Sequence, residues 1–204
     1  SLQIYEIFKH FTFIFANYVN LCGFSKKRKI FVMIQVYNYI ADLQSFLKSK
    51  RDSGYTVGLV PTMGALHNGH LSLIKRAKKE NDIVVASVFV NPVQFNNPVD
   101  LEKYPRTPEK DVALLDGAGC DAVFMPSVEE MYPTKVEEHY DFGEIERVME
   151  GACRPGHFNG VAIVVRKLFD IVQPDRAYFG EKDFQQQAII RKLVNDYNIK
   201  LQIV

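Results

Sequence analysis

The sequence predicts an α/β protein built on one mainly parallel sheet with helices on both faces, a doubly wound arrangement. Three observations carry that expectation. From Met33 onward, segments patterned for helices alternate with short apolar runs patterned for strands. One run, DIVVASVFV at 82–90, is too apolar on both sides for anything but a central strand. The chain has 204 residues, 47% of them apolar, which is enough to bury a real core.

Taken in order, residues 38–51 place Ile40, Leu43 and Leu47 on one helical stripe, and TVGLVP at 56–61 is a strand closed by proline. HLSLIKRAKKEN (70–81) is an amphipathic helix with a basic outer face, followed by the strand at 82–90. Residues 107–119 read as a helix opened by Thr107 and Pro108 and stopped by glycine, and DAVFMP (121–126) as the next strand. The stripe Val161, Val164, Val165, Leu168, Phe169 and Val172 makes 160–172 a helix despite its β-branched residues. RAYFG (176–180) is a strand, 184–197 a helix and KLQIV (200–204) a final strand. The sum is a Rossmann-like domain over 33–204. Ligands of such sheets sit beyond the carboxyl ends of the strands, so chemistry is expected in the loops after Pro61, Val90, Pro126 and Gly180.

Residues 1–32 are set apart by eight of the 25 aromatics and the basic run SKKRK. They carry a charge of +4, which leaves −3 on residues 33–204, so bulk charge speaks against nucleic-acid binding by the larger part. The segment reads as an N-terminal extension ahead of a natural start at Met33. A membrane-surface helix is the alternative, because Phe8, Phe11, Phe15 and Tyr18 recur at helical spacing beside the basic cluster. The positive charges follow the apolar stretch, the reverse of a signal peptide. A membrane span is not expected, since Asn17, Asn20 and Gly23 interrupt the most apolar stretch. Three cysteines with no C-x-x-C pair suit a reducing cytoplasm rather than a disulfide framework.

The strongest segment is PTMGALHNGHLSLI, residues 61–74. Its Gly64-to-Gly69 spacing is not a P-loop, because His70 and Leu71 stand where lysine and a hydroxyl are required. A glycine-bearing loop entering a helix still offers free backbone N–H groups to an anion. His67 and His70 can project together from it, and two imidazoles at a helix N-terminus suit a transferring phosphate. Surface histidines or a metal pair are the plain alternatives, although no H-E-x-x-H base is present.

The string His67-Asn68-Gly69-His70, placed after a strand and before an amphipathic helix, resembles the H-x-G-H signature of the nucleotidyltransferase superfamily. With FVNPVQFNNPVDLEKYPRTPEKD (89–111), RPGHFNGV (154–161) and FGEKDFQQ (179–186), the resemblance narrows to the pantoate–β-alanine ligases, or pantothenate synthetases, over residues 33–204. It implies ATP-dependent condensation of pantoate with β-alanine through a pantoyl adenylate, releasing AMP and pyrophosphate, in a cytoplasmic homodimer.

The same resemblance implies the site. His67 and His70 would line the ATP phosphates and stabilise the reacting α-phosphate, with Lys182 as a phosphate contact. Pro61, Thr62, Met63, Gly69, Gly180 and Asp183 would belong to the nucleotide-binding segments. Met63, Asn91, Gln94 and Gln186 would bind pantoate. Neutral carboxamides suit a hydroxy-acid whose carboxylate must stay nucleophilic, although a strand-end glutamine can also merely stabilise a loop. Arg154 and His157 would belong to a loop covering the pocket, with Arg154 mainly structural, and Cys153 would be a packing residue. Mg2+ is expected to arrive with ATP. In the helix after PRTP, where some relatives place metal-binding side chains, Glu109, Lys110 and Leu114 depart from the pattern and Asp111 is the candidate ligand. A smaller C-terminal domain, with a counterpart of the K-M-S-K-S loop, is expected beyond Val204, and the chain alone is expected to turn over little. Transfer to a phosphate-bearing acceptor, or a non-catalytic binding module, are the competing readings.

Overall fold

The computed structural model describes residues 34–204, so the expectations for residues 1–32 lie outside it. Six parallel strands form one sheet: β1 (Gln35–Tyr37), β2 (Val57–Thr62), β3 (Ile83–Val88), β4 (Ala122–Phe124), β5 (Arg176–Ala177) and β6 (Gln202–Ile203). Their spatial order is β1-β4-β3-β2-β5-β6. The main helices are α1 (Ile40–Asp52), α2 (Asn68–Glu80), α3 (Pro98–Lys103), α4 (Pro108–Ala118), α5 (Val128–Met131), α6 (Met149–Cys153), α7 (His157–Val172) and α8 (Phe184–Asp196). No helix among the described residues is long and apolar enough to cross a membrane.

The alternation of side chains along a strand explains why two helical layers form. Val57 and Leu59 of β2, Val85 of β3 and Phe124 of β4 meet Leu43 and Leu47 of α1, the apolar stripe of α7, and Ile189 and Ile190 of α8. Val60, Val84, Ala86 and Val123 point to the opposite face, against Ile74 and Ala77 of α2 and Leu115 of α4. Both faces of β3 are therefore covered, which is why its sequence shows no polar alternation.

The strand order places the site. β2 pairs with β3 on one side and with β5 on the other, so the chain reverses its direction of travel across the sheet at β2. Connections from adjacent strands then diverge to opposite faces and leave a crevice at the carboxyl ends of β2 and β5. The loop 63–67 and the turn 180–183 flank that crevice.

Several boundaries differ from expectation. The edge strand β1 was not anticipated; three partly exposed residues paired with β4 carry no burial pattern to betray it. β5 is regular for two residues only, although Tyr178 N–H continues to Leu59 C=O at 2.9 Å. α7 begins three residues before Gly160, because that glycine serves a packing contact rather than a helix end. A Cβ there would stand 2.5 Å from Val93 O and 2.6 Å from Gln94 Cα. The helix can lie directly against the 92–94 turn only where the side chain is hydrogen.

Candidate active site

The helix α2 is capped by its own two histidines. His67 is the residue before the helix, in an extended conformation, and its Nδ1 accepts Gly69 N–H at 3.1 Å. His70 Nδ1 reaches back to accept His67 N–H at 3.3 Å. The rings lie 4.2 Å apart, tilted by 39°. This reciprocal arrangement has the logic of a capping box, with imidazoles replacing serine and glutamate.

The chemistry of the rings follows from what holds them. A backbone N–H can only donate, so both Nδ1 atoms must be unprotonated, and each neutral ring carries its proton on Nε2. Burial, and next the neighbouring His67, push the His70 pKa below its ordinary value, so that ring is neutral at physiological pH. The first turn of α2 contains no acidic residue, and Lys78 and Lys79 occupy its last turn. The positive end of the helix dipole therefore stands uncompensated beside two N–H donors, a combination suited to phosphate. Gly69 is required by the same geometry, since a Cβ there would lie 2.8 Å from His67 Cε1.

Asp111 fixes the loop that precedes the histidines. Its carboxylate accepts Ala65 N–H at 3.0 Å, Leu66 N–H at 2.8 Å and the Thr107 hydroxyl at 3.2 Å. It is 1% exposed. The expected metal-ligand role is therefore corrected: both oxygens are committed to the loop, and Asp111 is an anchor for the two unusual left-handed residues Gly64 and Ala65. Among the described residues no group of three or more His, Cys, Asp or Glu side chains could hold a metal.

A cavity of about 160 Å³ opens beside His70. Of the expected site residues it brings together Pro61, Thr62, Met63, His70, Asn91, Gln94, Asp183 and Gln186. His67, Gly69, Gly180 and Lys182 do not line it, although His67 stacks on His70 and Lys182 sits exposed next to Asp183. The Thr62 hydroxyl is already engaged, donating to Ser87 C=O at 2.6 Å and accepting Gly64 N–H at 3.2 Å. Gln94 donates to the Met63 sulfur at 3.0 Å, while Gln186 is half-buried at the wall.

His157 is buried with Nδ1 2.9 Å from Gln94 O, and burial lowers its pKa. Arg154 makes an exposed ion pair with Glu150 at 2.9 Å, in keeping with a structural role. Cys153 is exposed and not the packing residue expected; among the described residues the buried thiol is Cys120, whose pKa burial raises to about 12. Sequence reasoning also missed Ser87, Phe89, Tyr104 and Phe179 on the cavity wall. Val161, Val164, Val165 and Leu168 of α7 were read as core, yet at this end of the sheet the same stripe faces the cavity.

Fold and site together define a doubly wound α/β domain with the string His67-Asn68-Gly69-His70 at its switch point. The family model of pantoate–β-alanine ligases matches residues 35–204, and the chain belongs to that family. It is 60% identical over 171 residues to the pantothenate synthetase of Porphyromonas gingivalis, covering 84% of this chain and 61% of that protein. The pantothenate synthetase of Aquifex aeolicus is 53% identical over 169 residues, covering 83% of this chain and 60% of that one. The chain thus spans about three-fifths of the length of these relatives. Among solved structures, pantothenate synthetase from Thermus thermophilus superposes with a TM-score of 0.78 at 49% identity, covering 84% of this chain and 60% of that one. The ligase from Francisella tularensis, complexed with β,γ-ATP and β-alanine, gives 0.80 at 44% identity over 84% of this chain and 66% of that one.

Two predictions follow from the loop and its rings. Asp111→Ala leaves two loop N–H groups without their acceptor, so it should cost about 1–3 kcal/mol in urea unfolding with a chelator present. Unchanged stability there would contradict the anchoring role. His70 and His157 titrate below the free-imidazole value of about 6.5, so the unfolded chain takes up protons first. Stability should be complete above that pH and fall as the pH drops below it, with a smaller fall in His70→Gln.

Proposed function

We propose that this chain is the part of a pantoate–β-alanine ligase that binds pantoate and ATP and joins them as pantoyl adenylate. The observation that carries this reading is the cavity that gathers His70 with the carboxamides of Gln94 and Gln186, the His67 ring lying 4.2 Å from that of His70. The imidazoles face a phosphate; the carboxamides face a small, uncharged-polar and acid-bearing partner. Gln94, Gln186 and Met63 hold the hydroxy-acid. His67, His70, the N-terminus of α2 and Lys182 take the triphosphate, with Pro61, Thr62, Gly69, Gly180 and Asp183 shaping the nucleotide side.

One pantoate carboxylate oxygen attacks the α-phosphorus in line, and the bond to the bridging oxygen breaks to release pyrophosphate. The β-alanine amine then attacks the acyl carbonyl, a proton is lost from nitrogen, and AMP leaves as pantothenate forms. No side chain forms a covalent intermediate. Positioning and donor hydrogen bonds to the α-phosphate oxygens carry the catalysis. Neutral donors suit this task because they bind the developing charge without pairing permanently with the nucleophilic carboxylate.

Mg2+ would neutralise phosphate charge when bound. Among the described residues Asp183 is the only carboxylate on the cavity wall and Asp111 is committed elsewhere, so these residues do not form a protein-held site. Homodimeric assembly and a cytoplasmic setting belong to the same family reading; sedimentation of the purified chain tests the first.

Calorimetry with ATP and pantoate, separately and together, should show binding of both by this chain; binding of neither would reject the reading. His67→Ala and His70→Ala should each slow pyrophosphate release from ATP and pantoate by about a hundredfold, the scale for one preorganised donor. Near-normal release by either variant would remove the imidazoles from the chemistry.

A further inference from the structure

Asn91 is fully buried, and every hydrogen-bonding position of its side chain is taken. Its Oδ1 accepts Val93 N–H at 3.3 Å and the Tyr132 hydroxyl at 2.9 Å. Its Nδ2 donates to Gly160 C=O at 3.0 Å and to Gln94 Oε1 at 3.2 Å. Val93 N–H can only donate and Gly160 C=O can only accept, so the orientation of the Asn91 amide is unambiguous. An amide has two donor hydrogens and two acceptor sites, and here none is left over for a ligand. The polarity therefore runs one way. Tyr132 O–H donates to Asn91, Asn91 N–H donates to Gln94, and Gln94 must turn its own NH2 away, toward Met63 and the cavity.

We propose that Tyr132 is a positioning residue for the hydroxy-acid subsite, acting through Asn91 to hold the Gln94 carboxamide with its donor end facing the ligand. Asn91, expected from the sequence to contact pantoate, belongs to this relay rather than to the contact surface. Tyr132 is well placed for the role. It follows α5, with its N–H bonded to Val128 C=O at 2.7 Å, and its ring lies 6.1 Å from Phe89 and 5.3 Å from the Lys167 ammonium. Burial, followed by Glu138, raises its phenol pKa above the ordinary value, so it remains a donor across the neutral range. The Gln94 NH2 donates to the Met63 thioether, a weak acceptor. An oxygen of a hydroxy-acid would be the better partner. The positions of Val93 and Gln94 are in turn fixed by Gly160, whose missing side chain lets α7 press against them.

This inference rests on the hydroxy-acid reading above, and the test separates the two. In Tyr132→Phe the ring stays and only the hydroxyl is lost, so the variant should melt close to the parent. Amide-selective NMR should show the Gln94 side-chain NH2 resonances shifted and broadened without any ligand. Pantoate should bind about tenfold more weakly by calorimetry, the upper range for one hydrogen bond, while ATP affinity is unchanged. Unchanged Gln94 resonances would overturn the proposal whatever the ligands do. Shifted resonances with unchanged pantoate affinity, or equal losses for pantoate and ATP, would overturn it as well. If the resonances shift but the parent chain binds no pantoate, the relay stands and the hydroxy-acid reading fails.

Discussion

The reciprocal capping of α2 by His67 and His70 is the interaction on which the site depends. It uses the two ring nitrogens for different purposes. Each Nδ1 satisfies a backbone donor that the helix would otherwise leave open, which leaves the proton of each neutral ring on Nε2. The fold supplies the setting: β2 ends at the switch point, Asp111 ties down the loop between strand and helix, and Gly69 leaves room for the His67 ring. Helix capping and the tautomer of both imidazoles are consequently set by the same hydrogen bonds.

The opposite wall of the crevice follows a similar rule, with carboxamides in place of imidazoles. Asn91 is saturated by Tyr132, Val93, Gly160 and Gln94, and that saturation gives Gln94 its orientation. Both walls present neutral donors. Lys182, exposed on the turn before α8, is the cation nearest in sequence to the cavity residue Asp183. On the proposed reading, neutral donors on both walls would hold a carboxylate and a phosphate side by side without quenching the nucleophile.

Much of this was legible in the sequence. The switch from helical to strand periodicity placed β2 to β6, α1, α2, α4, α7 and α8, and the glycine-histidine string at the end of β2 marked the crevice. Short elements escaped: β1 is three residues at the sheet edge, and α5 and α6 are single turns without a periodic stripe. Site roles divided along the same physical line. The family motifs singled out His70, Gln94, Met63 and Gln186, and the fold gathers these four at one cavity. Asp111 and Asn91 could not, because whether a polar side chain faces a ligand or a backbone group is decided by contacts more than forty residues away in sequence, such as Asp111 with Leu66 and Asn91 with Tyr132. Cys153 was misread for a related reason. Nothing in the residues around it distinguishes an exposed helix end from a packed one.

The central claim is that helix capping fixes the protonation of both imidazoles. Long-range proton–nitrogen correlation NMR of the chain at pH 7.5 reads this directly, because the two nitrogens of each ring shift differently according to which bears hydrogen. The account requires both His67 and His70 to be neutral with the proton on Nε2 and Nδ1 unprotonated. A proton on Nδ1 of either ring would break the cap, point an acceptor at the phosphate, and contradict it.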